Sequence, residues 1–209
     1  MPEIKVKRSD ILRNPEVESL LHKAEPWLAC LIALAWMFGK RVSEYVRLKR
    51  GDVWIEKNYL FVKFILSKKK GLRKPAVPKR YLKKITGEHL GVQYVLDYLT
   101  LTEDRSESEW LFPANSKMRF RIVKMKGKTY TYQIEGGHIH VDTALYHLKK
   151  LSKNVWWHLF RESLATRMAE KGATEEELMH WFDWDRVDTA HEYVKRGTKL
   201  TEKWSERTW

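Results

Sequence analysis

A few residues that lie far apart in this chain have the types needed for chemistry on a phosphodiester. His158 and Arg161 stand close together, Trp184 and Tyr193 follow them, and Arg41 lies far upstream. An arginine bonds two phosphate oxygens at once, so a pair of arginines stabilises a phosphoryl transition state without a metal. A tyrosine can be the covalent nucleophile. The set therefore predicts metal-free attack by a phenol on a phosphodiester.

The elements that must position these residues can be predicted from hydrophobic patterning and end signals. The pattern predicts a mainly helical α+β domain with a small antiparallel sheet. Helices are predicted over 16–22, 27–38, 42–48, 87–100, 141–150, 158–171, 175–181 and 188–194, and strands within 52–66, 75–78 and 119–133. Turns are expected at Lys57–Asn58 and around Lys126–Lys128, and Gly172 is expected to end its helix. On that helix His158 and Arg161 share a face.

Composition indicates a basic, compact protein. The 209 residues include 40 Lys and Arg against 27 Asp and Glu, a formal net charge of +13 and a pI near 9.7. A polyanion is the simplest partner for such a surface. The apolar run from Leu28 to Phe38 is too short to span a bilayer, and the charged start of the chain does not resemble a signal peptide. Cys30 is the only cysteine, so the chain has no internal disulfide and an intracellular location is expected.

The motifs resemble those of the tyrosine recombinases, or integrases, over residues 10–195. The stretch from Gly39 to Glu44 matches the family's Gly-x-Arg-x-Ser-Glu, and LKRGDV at 48–53 resembles the segment that the family carries after its first arginine. The stretch HLFRESLATRMAEKG at 158–172 resembles the His-x-x-Arg box. Phe182-Asp183-Trp184 occupies the place where many members have Leu-Gly-His, and Tyr193 comes nine residues after Trp184 (193 − 184).

The resemblance implies a role for each residue. The implied catalytic set is Arg41, Lys68, His158, Arg161, Trp184 and Tyr193, with Glu44 in support. The arginines would bind the scissile phosphate, the tyrosine would attack it, and the histidine would move the tyrosine's proton or bond a phosphate oxygen. Taken alone, Arg41 would be a cation at a helix C-terminus and Trp184 a core aromatic. It is the order of the motifs together that favours the functional interpretation.

The general acid is less well defined than the rest of the set. The family carries this lysine in a hairpin turn, where it donates a proton to the leaving 5′ oxygen. Lys68 is the best match and Lys70 the next, because alternate strand residues share a face. Further DNA contacts are expected from Lys69, Lys70, Arg73, Lys74, Lys126 and Lys128.

These expectations amount to a site-specific recombinase that cleaves and rejoins double-stranded DNA through a 3′-phosphotyrosine. Two alternatives are a type IB topoisomerase-like relaxing enzyme and a non-catalytic DNA-binding protein of the same fold. No cofactor or metal is implied, since His138 and His140 have no third ligand at a familiar spacing. The histidines are expected to be structural or to face DNA.

The resemblance also predicts how the protein is organised and assembled. Residues 1–195 would form the catalytic domain, and residues 196–209 a tail that a protomer passes to its neighbour, anchored by Trp204 and Trp209. The protein would be a monomer in free solution and a tetramer on DNA, in the cytoplasm or nucleoid of a prokaryotic host. The N-terminal helical domain of full-length members is expected to be absent, because the first motif comes so early.

Overall fold

A computed structural model describes residues 11–65, 80–114, 118–125, 128–135 and 137–195, with the main chain alone at 80–81, 118–125 and 128–135. Helix α2 (Pro26–Phe38) lies at its centre. Every residue from Leu28 to Phe38 is buried, as expected for a helix that is apolar all round. Five helices pack against it: α1 (Asn14–Lys23), the short α3 (Val42–Tyr45), α4 (Val92–Leu101), α5 (Val141–Leu151) and α6 (Trp157–Glu170).

A three-stranded antiparallel sheet covers one side of α2 and α3. Strand β1 (Val53–Glu56) pairs with β2 (Tyr59–Ile65), which pairs in turn with β3 (Arg80–Thr86). Lys57 and Asn58 join β1 to β2 with φ of 47° and 62°, the left-handed backbone that a tight hairpin requires. Alternate residues of β2, including Val62 and Phe64, are buried in the core.

The remaining elements come in chain order after the sheet. They are α4 (Val92–Leu101), the hairpin of β4 (Met118–Met125) with β5 (Lys128–Glu135), α5 (Val141–Leu151), α6 (Trp157–Glu170), α7 (Glu175–Phe182) and a helix α8 over 187–195. Thr174 caps α7 by accepting a hydrogen bond from the Glu177 N–H at 3.2 Å. This capping box, together with the glutamates in the first turn, explains why the helix begins there.

The core has two parts. The larger cluster joins α1, α2, the sheet, α4, α5 and the first turn of α6. The smaller one, with Ala165, Leu178, Phe182 and Ala190 at its centre, holds the second half of α6 against α7 and α8. Arg161 lies on α6 between the residues of the two clusters. Within the described residues, every helix is too short or too polar to cross a membrane.

The predicted mainly helical α+β fold with a small antiparallel sheet is confirmed, as are both hairpins. Two helix bounds were wrong, and one strand was missed. Helix α3 ends at Tyr45 rather than continuing to residue 48, because the Leu48 carbonyl accepts from the Leu111 N–H. Helix α4 begins at Val92, since the turn before it is tied to the β1–β2 turn through Gly87. Strand β3 at Arg80–Thr86 was not predicted, and the strand predicted at 75–78 lies outside the described residues.

Candidate active site

Two turns meet at the site. The first is the α2–α3 turn (Phe38–Lys40), and the second is the α7–α8 turn (Trp181–Trp184). The Trp181 indole N–H donates to the Phe38 carbonyl at 3.2 Å, and its ring stacks parallel to the Phe38 ring. Residues more than a hundred positions apart in sequence are thereby held side by side.

Arg161 donates hydrogen bonds to main-chain carbonyls of both turns. Its Nη1 donates to the Gly39 carbonyl at 2.8 Å and its Nη2 to the Phe182 carbonyl at 2.7 Å. The residue is only 4% exposed. Burial and repulsion from Arg41 lower the pKa of Arg161 to about 10, so the guanidinium stays charged at neutral pH. Each terminal nitrogen carries a second N–H, which leaves the group chemically able to bind an anion as well.

Arg41 caps the start of α3 and points towards solvent. Its side chain is 55% exposed, and its Nη1 lies 3.6 Å from Oε1 of the buried Glu44. The Arg41 N–H donates to Glu44 Oε2 at 3.2 Å. Glu44 thus holds the main chain and the guanidinium of Arg41 together, which is the geometry expected of a supporting residue.

His158 opens α6 with an exposed side chain whose Nε2 lies 3.6 Å from Glu162 Oε1. Desolvation by the protein around the ring, with repulsion from Arg161 and Arg41, lowers the pKa of His158 below its ordinary value. The imidazole is therefore mostly neutral at pH 7 and able to accept a proton. Arg41 and Arg161 therefore lie close enough to His158 to repel its protonated form.

A stack of aromatic rings holds Tyr193 close enough to Arg161 to affect its pKa. The ring of Trp184 stacks on Phe182 with centroids 4.8 Å apart and on Tyr193 with centroids 5.3 Å apart. The Arg161 guanidinium carbon lies 5.5 Å from the centroid of the Trp184 ring, and Tyr193 influences the pKa of Arg161. The structure thus brings together Arg41, His158, Arg161, Trp184 and Tyr193. The predicted role of Trp184 was as an N–H donor, and the structure adds that its ring faces carry the stack.

The expected basic residues of the two hairpins are not placed. The residues Lys68, Lys69, Lys70, Arg73, Lys74 and Lys126 lie outside the described residues, and of Lys128 the main chain alone is described, in β5.

The two histidines considered as metal ligands have other contacts. The His138 ring packs edge-on against Trp110, and the His140 ring accepts from the Asp142 N–H at 3.3 Å at the start of α5.

Two lysines at the site were missed by the sequence analysis. Lys40 and Lys83 are 2% and 8% exposed, and both bond carbonyls at the end of α7. Lys40 stands inside the recognised Gly39–Glu44 motif, but its position between two motif residues does not reveal burial. What buries it is α7, which lies about 140 residues later in the chain.

Several solved structures resemble this chain in fold. The structure of XerA recombinase superposes with a TM-score of 0.65 at 17% identity, covering 100% of this chain and 66% of that one. XerH, solved on its difH substrate before cleavage, gives a TM-score of 0.58 at 15% identity, covering 88% and 50%. The Tn1549 transposon integrase, solved with transposon right-end DNA, gives 0.55 at 14%, covering 97% and 68%.

These likenesses, at low identity, concern the fold. The chain spans 66% of the XerA chain and 50% of the XerH chain. Among curated proteins none matches the chain in sequence. Residues 10–199 match the phage integrase family. With nearly the whole length matched, this chain belongs to the phage integrase family, the tyrosine recombinases.

Proposed function

We propose that this chain is the catalytic domain of a site-specific recombinase that cleaves and rejoins double-stranded DNA. The observation that carries the proposal is the placement of Arg161, which lies against Trp184 while Trp184 stacks on Tyr193. A buried cation next to an aromatic stack that ends in a phenol suits attack on an anionic ester. Family membership favours this function over DNA relaxation and over a non-catalytic role.

In the proposed reaction, Tyr193 Oη attacks the scissile phosphorus. A bond forms between that oxygen and phosphorus, and the bond from phosphorus to the 5′ oxygen breaks. Arg41 and Arg161 bind the non-bridging oxygens, where negative charge develops. The phenol's proton passes to His158, whose lowered pKa leaves it neutral, and Lys68 protonates the leaving 5′ oxygen. The reverse reaction, from the same or a partner strand, restores the ester, so neither ATP nor a metal is required.

Trp184 and Glu44 complete the proposed set as supporting residues. Trp184 would donate its indole N–H to a phosphate oxygen while its ring supports Tyr193. Lys70 is the alternative general acid. The other proposed DNA contacts are Lys69, Lys70, Arg73, Lys74, Lys126 and Lys128. The protein would work inside a prokaryotic host.

The test of the covalent mechanism uses nicked suicide duplexes from candidate attachment sites. Wild type is expected to form a protein–DNA adduct visible on a denaturing gel, and Tyr193→Phe is expected to form none. Tyr146→Phe, which alters a tyrosine that is 58% exposed on α5, is the matched control and should react normally. An adduct that persists in Tyr193→Phe would identify another nucleophile. Normal DNA binding without any adduct in wild type would reject the enzyme proposal.

The proposed assembly is a tetramer on two duplexes, with residues 196–209 passed between protomers. Deletion of Thr201–Trp209 is expected to weaken the paired complex while leaving single-duplex binding intact, because its aromatic anchors are lost. Native gels with one and two duplexes measure both steps. Undiminished pairing by the deletion variant would contradict tail exchange. Recombination of a two-site plasmid, rather than relaxation alone, distinguishes the recombinase from a relaxing enzyme.

A further inference from the structure

The C-terminus of α7 is bound by cations from three different elements. The carbonyl of His180 accepts from Lys83 Nζ at 3.1 Å, that of Trp181 from Lys40 Nζ at 2.7 Å, and that of Phe182 from Arg161 Nη2 at 2.7 Å. The last carbonyls of a helix have no intrahelical partners and carry partial negative charge. The three side chains come from β3, the α2–α3 turn and α6, so they fix α7 to the rest of the site.

Lys40 is the least exposed of these three residues. Its side chain is 1% exposed, and its ammonium also pairs with the carboxylate of Asp183. Asp183 has left-handed backbone, with φ of 54°, where the chain turns from α7 towards α8. The residues on either side of Asp183 are Phe182 and Trp184, which stack on each other. The ammonium of Lys40 therefore fixes the residue between two members of the stack.

A buried ammonium is an inefficient way to stabilise a fold. Desolvation lowers the pKa of Lys40 to about 8, although the hydrogen bond to Asp183 opposes the shift. Lys83 and Arg161 face the same ammonium and repel it, and burial lowers the pKa of Lys83 too. Buried ion pairs often contribute less than apolar side chains of the same size. The cluster is better explained by what it positions.

We infer that Lys40 is a positioning residue for DNA cleavage, whose ammonium holds the α7–α8 turn so that Trp184 lies near Arg161 and Tyr193 stacks on Trp184. Lys83 assists from β3. The inference rests on the proposed role of Tyr193. Lys40 is enclosed by protein, so it would act through its contacts with Asp183 and the Trp181 carbonyl.

The test replaces Lys40 by the apolar residue nearest its shape. Lys40→Met is expected to fold and to bind a nicked duplex as wild type does. Its single-turnover rate of adduct formation should fall at least about ten-fold, because a small misplacement of reacting groups can cost about 10²-fold. Lys23→Met, an exposed lysine at the end of α1, is the matched control and should react normally. Normal cleavage by Lys40→Met would overturn the inference.

Measuring the rate of adduct formation over a range of pH distinguishes positioning by the Lys40 charge from packing by its methylene chain. Lys40 loses its proton as pH rises through about 8. The rate advantage of wild type over Lys40→Met is therefore expected to be largest below pH 8 and to shrink above it. An advantage that is constant with pH would show that the methylene chain matters and the ammonium does not, against the inference.

Hydrogen exchange tests the inference without catalysis. In Lys40→Met, amides over 183–195 should exchange about ten-fold faster, while those of α2 stay protected. Unchanged exchange over 183–195 would overturn the inference whatever the cleavage assay gives. Absence of any wild-type adduct would instead reject the proposed function. Lys83→Met provides a second variant with the same expected pattern, and it carries the test if Lys40→Met does not fold.

Discussion

Arg161 combines a structural and a proposed catalytic role in one side chain. Its two terminal nitrogens bond the carbonyls of Gly39 and Phe182, and its face lies near Phe182 and Trp184. A planar fork with five N–H groups in fixed directions can bond two carbonyls and still present donors to a phosphate. Arg41, by contrast, is half exposed, and its Nη1 lies 3.6 Å from Oε1 of Glu44 in the adjoining helix α3.

Substitution of each arginine by lysine should show that Arg161 contributes to folding stability and Arg41 does not. Arg161→Lys is expected to lower the free energy of unfolding by about 1–3 kcal/mol, since a buried carbonyl loses its donor. Arg41→Lys should leave stability within about 0.5 kcal/mol of wild type, as for most surface substitutions. Both variants should lose most of the adduct. Urea unfolding and the nicked-duplex assay measure the two effects, and equal stability of the two variants would contradict this account of Arg161.

The lowered pKa of His158 is expected to affect both folding stability and the rate of adduct formation at acid pH. Its folded pKa lies below 6.5, so near and below pH 6.5 the unfolded chain binds more protons than the folded one. This group's contribution to stability is therefore present at higher pH and is lost as pH falls through that window. The same neutral form is the proposed proton acceptor.

The rate of adduct formation should thus fall on the acid side with a midpoint below pH 6.5. His158→Gln should react slowly and lack this limb, because glutamine does not titrate. His147→Gln, on α5, serves as the control and should keep the wild-type profile. An identical acid limb in His158→Gln would assign the titration to another group.

At the scale of elements, the site depends on how closely two turns approach each other. Gly39 has φ of 58°, and a Cβ there would lie 2.6 Å from Phe182 Cε1 and 3.0 Å from Leu164 Cδ2. Gly172, at the end of α6, also has positive φ, of 87°, but a Cβ there would meet nothing within 4 Å. The two glycines therefore share a positive φ, which disfavours other residues, and differ in packing.

Alanine substitution at each glycine separates the cost of the left-handed backbone from the cost of overpacking. Gly172→Ala should cost roughly 1–2 kcal/mol for the left-handed backbone alone. Gly39→Ala should cost about 1–3 kcal/mol more, because the added methyl group overpacks the turn. It should also slow cleavage, since it displaces Phe182 beneath Trp184. Thermal or urea unfolding checks the difference, and equal destabilisation of the two variants would show that the turns can move apart.

Local sequence signals predicted some of these elements and could not predict others. The helix ends at Gly39, Gly172 and Thr174 and the turn at Lys57–Asn58 depend on neighbouring residues, so they were found. Strand β3 was missed because its sequence, RYLKKIT, is strongly basic. Lys83 is buried against α7, where the His180 carbonyl, 97 positions away, accepts from it. The same is true of Lys40, whose partners arrive with α7.

At the scale of the whole molecule, positive charge dominates. The net charge of +13 gives the surface a field that attracts a polyanion. The buried charges of the site behave differently. Lys40 and Arg161 are enclosed by protein, so salt screens them much less than it screens surface lysines. Binding and cleavage should therefore respond to salt in different ways.

DNA affinity should fall steeply with salt, while the rate of adduct formation on saturated DNA should change little. Neutralising about 6–10 phosphates would lower affinity by roughly 10³–10⁵ between 50 and 200 mM salt. Fluorescence anisotropy with a labelled duplex gives the slope of log Kd against log salt, and single-turnover cleavage at saturating protein gives the rate. A shallow slope would mean that few phosphates are contacted. A cleavage rate that falls as steeply as the affinity would place the essential charges at the surface rather than in the enclosed cluster around Arg161.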